Sequence, residues 1–437
     1  MTLTHFVFAV LLPFLGPASA VVAYCTLVRP RRWGLAAKAA ASAAIFVCSM
    51  KFTWFAVFGG RMFQPELPAW VIHAMSVAYD VALLLAAVGA CAAVARAAVG
   101  LARRLRGGGL GAPEPSGGRL VRLRRRDFLT GCLSAATVPA AVATVRAGIC
   151  LPDVRRVELF FPDLPPAFDG YRIVQLSDLH ISAAARAERT EGVVRLANAC
   201  DPDLVAVTGD IVDGTVRAHL EDVEPLGGLV ARDGVLGCNG NHEYYSDPAR
   251  WAVEFDRLGI RMLRNAAATI RRGGDAIAVI GQDDPVGGDT DISSAAATAA
   301  PFRILLAHRP TRLAEHAAQG VRLQLSGHTH GGAILGLDRL VARANEGHVR
   351  GLYWEHGLTL YVSAGTGQWA GFPERAGVST EITEIVLRRG SPAARHGRMR
   401  GNLIKYTKSA NKRRQRRQHE DQLQGFGQVS GSADGGA

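Results

Sequence analysis

The stretch Ile173-Val174-Gln175-Leu176-Ser177-Asp178-Leu179-His180 decides how this chain reads: an apolar run that ends abruptly on an aspartate and a histidine. Similar endings recur at Thr208-Gly209-Asp210, Gly240-Asn241-His242-Glu243, Ala307-His308 and Gly327-His328-Thr329-His330. Short runs of Val, Ile and Leu read as buried strands, and open α/β sheets place their ligands beyond the C-terminal ends of strands. The residues collected there are oxygen and imidazole donors, with no thiolate among them. Such a set suits divalent cations, and two cations side by side suit phosphoryl chemistry.

Working outward, residues 151–390 alternate short apolar runs with helical patterns. Strands are expected at Val154–Phe160, Arg172–Gln175, Leu204–Thr208, Val235–Asn239, Ile277–Ile280, Ile304–Ala307, Leu323–Leu325, Leu360–Ser363 and Ile382–Leu387. Helices are expected at Ala185–Ala199, Ala249–Leu258 and Thr311–Gln319. So many strands in one domain favour two packed sheets with helices outside. In an extended segment positions i and i+2 point the same way, so Asp178 with His180, and His328 with His330, could each reach one ion. Asp210 offers two oxygens and could bridge two cations, Asn241 offers a carbonyl oxygen, and His308 ends the run Ile304–Ala307. Taken singly, a strand-end Asp caps a helix and a lone His satisfies a carbonyl. Six or more in this order, each at a strand end, do not read as packing, and glycines flanking two His cost stability that packing does not return.

The chain has 437 residues and a formal net charge of +12. That excess suggests nucleic-acid binding at first, but its distribution argues otherwise. Arg clusters at 29–32, 103–106 and 119–126 flank apolar stretches, and the run Lys412–Arg417 lies in a polar tail, 391–437, expected to be disordered. The seven Cys show no C-x-x-C and read as buried small apolar residues, so they fix no redox compartment.

Residues 1–148 are of another kind. Phe6–Val28, Ala39–Phe58 (interrupted by Lys51), Met75–Val94 and the shorter Phe128–Val145 are candidate membrane spans. The division expected is 1–101 with three spans, 102–127 a basic Gly/Pro linker, 128–148 a fourth span, 151–390 the catalytic domain, then the tail. Arg29, Arg31, Arg32 and Lys38 follow the first span, nine Arg from Arg96 to Arg126 follow the third, and only Arg61 lies between the second and third. Positive loops stay in the cytoplasm, which puts the domain on the outer face of the inner membrane. Arg124-Arg125-Arg126-Asp127-Phe128-Leu129-Thr130 resembles a twin-arginine export signal, although it lies inside the chain; the alternative is a basic stop before an ordinary span. Both place the domain on the same side.

The ordered set Asp-x-His, Gly-Asp, Gly-Asn-His-Glu, His, Gly-His-x-His resembles that of calcineurin-like metallophosphoesterases, over about residues 150–390. That resemblance implies an α/β fold of two mixed sheets in a sandwich flanked by helices. It implies a dinuclear centre with Asp178, His180, Asp210 and His330 on one ion and Asp210, Asn241, His308 and His328 on the other. It also implies a bridging hydroxide nucleophile and His242 as the catalytic imidazole, with Glu243 orienting His242 or nearby backbone. Mixed oxygen and nitrogen ligation accommodates Mn, Fe or Zn. The segments Gly327–Gly332, Arg350-Gly351-Leu352-Tyr353 and Leu360–Gly367 are similar to those of bacterial membrane-linked members, among them twin-arginine-exported phosphodiesterases and lipid pyrophosphatases acting on UDP-diacylglucosamine. Ala333 departs from the Gln that many relatives carry.

The expected activity is therefore metal-dependent phosphoester hydrolysis, with diesters or pyrophosphates favoured over monoesters because no Arg cluster for a terminal dianion stands beside the motifs. Arg309 is a candidate phosphate contact, and Asp283-Asp284 a supporting turn. Expected partners are membrane lipids, a lipid or envelope-derived phosphoester and the twin-arginine translocation machinery; nucleic acid is not among them. The alternatives are a binding or sensing module without turnover, which would have lost a ligand or His242, and a cytoplasm-facing lipid pyrophosphatase.

Overall fold

The computed structural model describes residues 12–105, 125–334, 336 and 338–390. Its strands are β1 (Asp153–Phe161), β2 (Arg172–Leu176), β3 (Leu204–Thr208), β4 (Val235–Cys238), β5 (Ile260–Met262), β6 (Ala266–Arg272), β7 (Asp275–Gln282), β8 (Phe302–Ala307), β9 (Val321–Ser326), β10 (Gly351–Glu355), β11 (Leu358–Val362) and β12 (Glu381–Arg389). They form two sheets of six, ordered β1-β12-β2-β3-β4-β5 and β10-β11-β9-β8-β7-β6. Both are mixed: β12 runs antiparallel to β2, and β10 and β6 run antiparallel to β11 and β7, while the central neighbours are parallel.

Period-two alternation along the strands builds the layers. Ile173, Leu204, Ala206 and Leu236 point inward from the first sheet and meet Val279, Ile304, Leu306 and Leu325 from the second. Their neighbours Val174, Val205 and Val207 point outward, under Val193 and Val194 of helix Ala187–Asn198 and Trp251 and Phe255 of helix Pro248–Arg257. Ile280 and Leu305 do the same on the far side, against Leu313 of helix Leu313–Ala318. Strands β5, β6 and β10 carried no expectation from sequence. All three lie at sheet edges, and an edge strand has one unpaired side and no long apolar run to announce it. Helices Val216–Val223 and Asp338–Ala344 were likewise unannounced.

The apolar N-terminal region differs in detail from four simple spans. Helices Ala69–Leu105 and Arg125–Ile149 are long and apolar enough to cross a membrane. Helix Leu12–Ala23 runs into a π-turn at Tyr24–Val28; the earlier part of that expected span lies outside the described residues, as do residues 106–124 of the expected linker 102–127 and the tail 391–437. The expected Ala39–Phe58 span falls on two helices, Leu35–Ser49 and Lys51–Gly59, bent by 62°, which together are long and apolar enough for one broken span. The bend has a physical cause. Lys51 is fully buried and its Nζ donates to Glu374 Oε1 at 2.8 Å, under the rings of Tyr79, Phe52 and Phe372 at 4.8, 4.9 and 5.3 Å. A lysine in lipid is costly; the bend brings it to a carboxylate of the two-sheet domain. The cysteines also differ from expectation: of the seven, Cys238 is buried, Cys48 and Cys200 are half-buried, and the others are exposed. Cys25, Cys91 and Cys132 face outward from apolar helices, where the surrounding medium rather than the protein interior covers them.

Two stability predictions follow from this docking. Lys51→Met leaves Glu374 buried without its partner and is expected to cost about 3–5 kcal/mol; thermal unfolding in detergent should show a large drop, partly restored by adding Glu374→Gln. His219, almost wholly buried, lies 3.2 Å from Glu66 and 3.0 Å from Asp222. Burial disfavours its imidazolium, but the hydrogen bonds to Glu66 and Asp222 outweigh that and raise its pKa above the ordinary value. The charged ring therefore contributes stability fully below the unfolded-state pKa, and the contribution is lost as pH rises through the raised folded value. The stability gap between wild type and His219→Gln should be widest in mild acid and close toward alkaline pH; a gap constant with pH would show that the ring is not titrating.

Candidate metal centre

The parallel strands β2, β3, β4, β8 and β9 end on one edge of the sandwich, and each hands its last residue to a donor loop. Asp178 follows β2, Asp210 follows β3, Asn241 follows β4, His308 follows β8, and His328 and His330 follow β9. The loops are bound to one another by backbone hydrogen bonds: Asp178 N donates to Gly209 O, His180 N to Asp210 O, and Gly327 N to His308 O. The expected reason for pairing at i and i+2 is corrected here. Asp178, His180, Asp210, His328 and His330 all have positive φ, from 46 to 71°, so neither pair is extended. Side chains converge because the backbone turns left-handed at each donor, an uncommon conformation for residues other than glycine that clusters at functional sites.

The convergence is close. Three groups each hold their donor atoms within 4.8 Å: Asp178, His180 and His330; His180, Asp210 and His242; Asp210, His308 and His328. The groups overlap at His180 and Asp210 and form one continuous patch. His180 Nε2 faces His330 Nε2 at 3.1 Å, His328 Nδ1 faces His308 Nε2 at 3.2 Å, and His308 Nε2 lies 3.1 Å from Asp210 Oδ2. The other ring nitrogens are held from outside: His308 Nδ1 lies 2.8 Å from Thr208 O, and His180 Nδ1 2.9 Å from Asp213 Oδ1. This is how a protein orients metal-binding imidazoles. Asn241 Oδ1 is buried and makes no hydrogen bond among the described residues, although its Nδ2 donates to Tyr245 Oη at 3.3 Å. A buried amide oxygen left bare in the loop that also carries His242 fits a cation. Two glycines are required by closeness: a Cβ at Gly240 would lie 2.2 Å from Asp210 Oδ1, and one at Gly327 would lie 2.2 Å from Asp178 Oδ2.

Charge balance in the cluster favours the ligating form at some donors and opposes it at others: burial pushes the Asp178 carboxyl up, and, against burial, Asp210 pushes His308 up to about 10. Burial opposes ionisation of Asp210, but His308, His242 and His180 outweigh it and hold its carboxyl well below the usual range. Burial, with His308 and Arg309, holds His328 far below the ordinary imidazole value; burial, with His180 and Arg375, does the same for His330. Neutral imidazole and ionised carboxylate are the ligating forms. His242 is pushed up to about 9, Asp210 and Asp213 overcoming its burial. Its Nδ1 lies 2.6 Å from Asp213 Oδ1 and its Nε2 3.9 Å from Asp210 Oδ2. His242 thus stands within reach of the donor patch as well as of its mouth.

Several contributors were not singled out from sequence. Asp213 is shared by His180 and His242. Its one signal was spacing, three residues after Asp210. Arg375 is buried and grips His330 through its carbonyl at 2.5 Å and its Nδ1 at 3.1 Å; nothing near it in sequence marked it. Glu243 accepts from the peptide N–H groups of Asp210, Ile211 and Gly240 at 3.0, 2.6 and 2.7 Å, and so orients backbone rather than His242. Asp284 accepts twice from Arg309, at 2.7 and 3.2 Å, which holds that guanidinium 3.5 Å from His328 Nε2.

Known proteins place this geometry. The calcineurin-like phosphoesterase family matches residues 171–332. The chain is 34% identical over 255 residues to a transmembrane protein with metallophosphoesterase domain of Bos taurus, across 54% of this chain and 57% of that one. It is 30% identical over 284 residues to the uncharacterized metallophosphoesterase YkuE of Bacillus subtilis (strain 168), across 62% of this chain and 99% of that one. The chain belongs to the calcineurin-like phosphoesterase family. It spans a little under three-fifths of the length of the vertebrate relatives it matches.

Asp213→Asn keeps the size of the side chain but weakens the acceptor shared by two imidazoles. Metal affinity, measured by competition with a chelator, is expected to fall roughly 10–100-fold. Unchanged affinity would remove Asp213 from the site.

Proposed function

We propose that this chain hydrolyses phosphodiesters or pyrophosphates with two divalent cations, at the outer face of a cytoplasmic membrane. The observation that carries the reading is the continuous donor patch through Asp210, with the orphaned Asn241 oxygen at its margin. Asp178, His180, Asp210 and His330 would hold one ion, and Asp210, Asn241, His308 and His328 the other, with Mn, Fe or Zn each compatible. Bound cations supply Lewis acidity and activate water at neutral pH.

The protein's own part is positioning and proton transfer. Asp210, buried and held well below the usual carboxylate range, carries negative charge into the site. Thr208 and Asp213 fix the rings of His308 and His180. His242, held by Asp213 and with a raised pKa, is the group suited to donate a proton to the leaving oxygen. Arg309, clamped by Asp284, stands where a phosphate oxygen could meet it. A single guanidinium suits a diester or pyrophosphate better than a terminal dianion.

The membrane reading rests on the charge asymmetry of the loops, on relatives named as transmembrane proteins, and on one contact. The Arg-poor loop after helix Lys51–Gly59 packs against the catalytic domain through Arg61, Gln64 and Glu66, so loop and domain share a side. A lipid or envelope-derived substrate and export through a twin-arginine signal belong to this proposal. A C-terminal topology reporter showing a cytoplasmic domain would reverse the orientation.

With full-length protein in detergent and Mn²⁺, a bis-aryl phosphate should be hydrolysed faster than a mono-aryl phosphate. Asp210→Asn should lose both bound metal and turnover; full activity in that variant would sink the ligand assignment. His242→Ala should retain metal and lose about 10²–10⁴ in rate, and loss of metal would make His242 a ligand instead.

A further inference from the structure

The loop joining helix Lys51–Gly59 to helix Ala69–Leu105 belongs to the apolar region, yet it lies on the metal-site edge of the sandwich. Gln64 Nε2 is 3.3 Å from His242 Nδ1, on the nitrogen that also meets Asp213. Arg61 Nη1 donates to Gln64 Oε1 at 3.2 Å and to Ser246 Oγ at 2.6 Å, four residues beyond His242. Glu66 accepts from His219 at 3.2 Å, close to Asp213 in the chain. The ring of Phe63 packs on Trp369 and Phe372 at 5.5 and 6.2 Å, and Trp369 in turn lies 5.5 Å edge-on to the His242 ring. A Cβ on Gly371 would come within 2.8 Å of Phe63 O. Three separated parts of the catalytic domain, around 213–219, 242–246 and 369–372, therefore close on this one loop.

The second attachment is Lys51 to Glu374, adjacent in sequence to Arg375, which grips His330. The helix hairpin thus touches the site at both ends: through Gln64 at the proton-donating imidazole and through the 369–375 segment at an expected ligand.

We infer that Gln64 is a positioning residue for His242, supplied by the helix hairpin, and that the catalytic site is complete only when the hairpin is docked. This rests on the reading of His242 as the proton donor. Asp213 accepts from the Nδ1–H; the Gln64 amide nitrogen, itself a donor, packs at 3.3 Å against that edge of the ring and, braced by Arg61 on its oxygen, limits swing of the ring in another direction. Displacement of a catalytic group by an ångström costs rate more than binding, so the hairpin contributes to turnover rather than to capture of substrate.

The test uses full-length protein in detergent with Mn²⁺ and a bis-aryl phosphate. Gln64→Ala is expected to lower kcat at least tenfold, with KM and metal content within twofold of wild type. Gln64→Glu, which keeps the length and the oxygen that accepts from Arg61 and sets a second oxygen able to accept from the His242 Nδ1–H, should restore most of the rate, a recovery that mere packing would not give. Equal kcat in Gln64→Ala and wild type would overturn the inference, as would a loss shared equally by kcat, KM and metal content. A readout independent of hydrolysis separates the two readings: modification of His242 by diethyl pyrocarbonate, followed by mass spectrometry on metal-loaded protein. Faster labelling of His242 in Gln64→Ala than in wild type supports the contact even if wild type proves inactive on the aryl esters, which would count against the substrate reading alone. Identical labelling rates together with unchanged kcat would leave the hairpin no part in the site.

Discussion

The structure turns on one buried carboxylate. Asp210 is almost wholly removed from water, with His308, His180 and His242 at 3.1, 3.7 and 3.9 Å from Oδ2 and the peptide N–H of His242 donating to Oδ1 at 2.9 Å. An isolated carboxylate in such surroundings would neutralise itself. Here it stays ionised because imidazoles from both sheets surround it, and that arrangement fixes much else. Gly240 has no room for a side chain, Glu243 must hold the turn that carries Asp210, and β3 and β4 of one sheet must end level with β8 of the other.

Holding so many like groups together requires a rigid frame. Five donors sit in left-handed backbone, each a conformation that the surrounding structure has to impose. The frame is the double layer of inward residues from Ile173 to Leu325, close-packed and capped on both outer faces by helices. Strain is concentrated at the donor edge and offset by the apolar layers behind it.

The hairpin of the apolar region is joined to that edge by unlike contacts: a buried ion pair at Lys51, a shared imidazole at His219, aromatic packing at Phe63 and an amide at Gln64. A buried pair such as Lys51–Glu374 adds little net stability, but either member alone is strongly unfavourable. It therefore selects the docked arrangement more than it strengthens it. The 62° bend between helices Leu35–Ser49 and Lys51–Gly59 is the geometric consequence.

Residue order by itself determined the sandwich and the donor set. Period-two apolar runs and the residues ending them are local facts, and Asp178, His180, Asp210, Asn241, His308, His328 and His330 could all be picked out because each follows such a run. Edge strands β5, β6 and β10 escaped because an edge needs no apolar run. Extended geometry was the wrong reason for the pairing at 178–180 and 328–330: φ is set by which loops bond to which across the edge. Asp213, Arg375 and Gln64 lie far in sequence from some of the imidazoles they serve, with 178 residues separating Gln64 from His242. Only tertiary structure could decide their roles, because hydrogen bonds and desolvation act over a few ångströms of space whatever the distance along the chain.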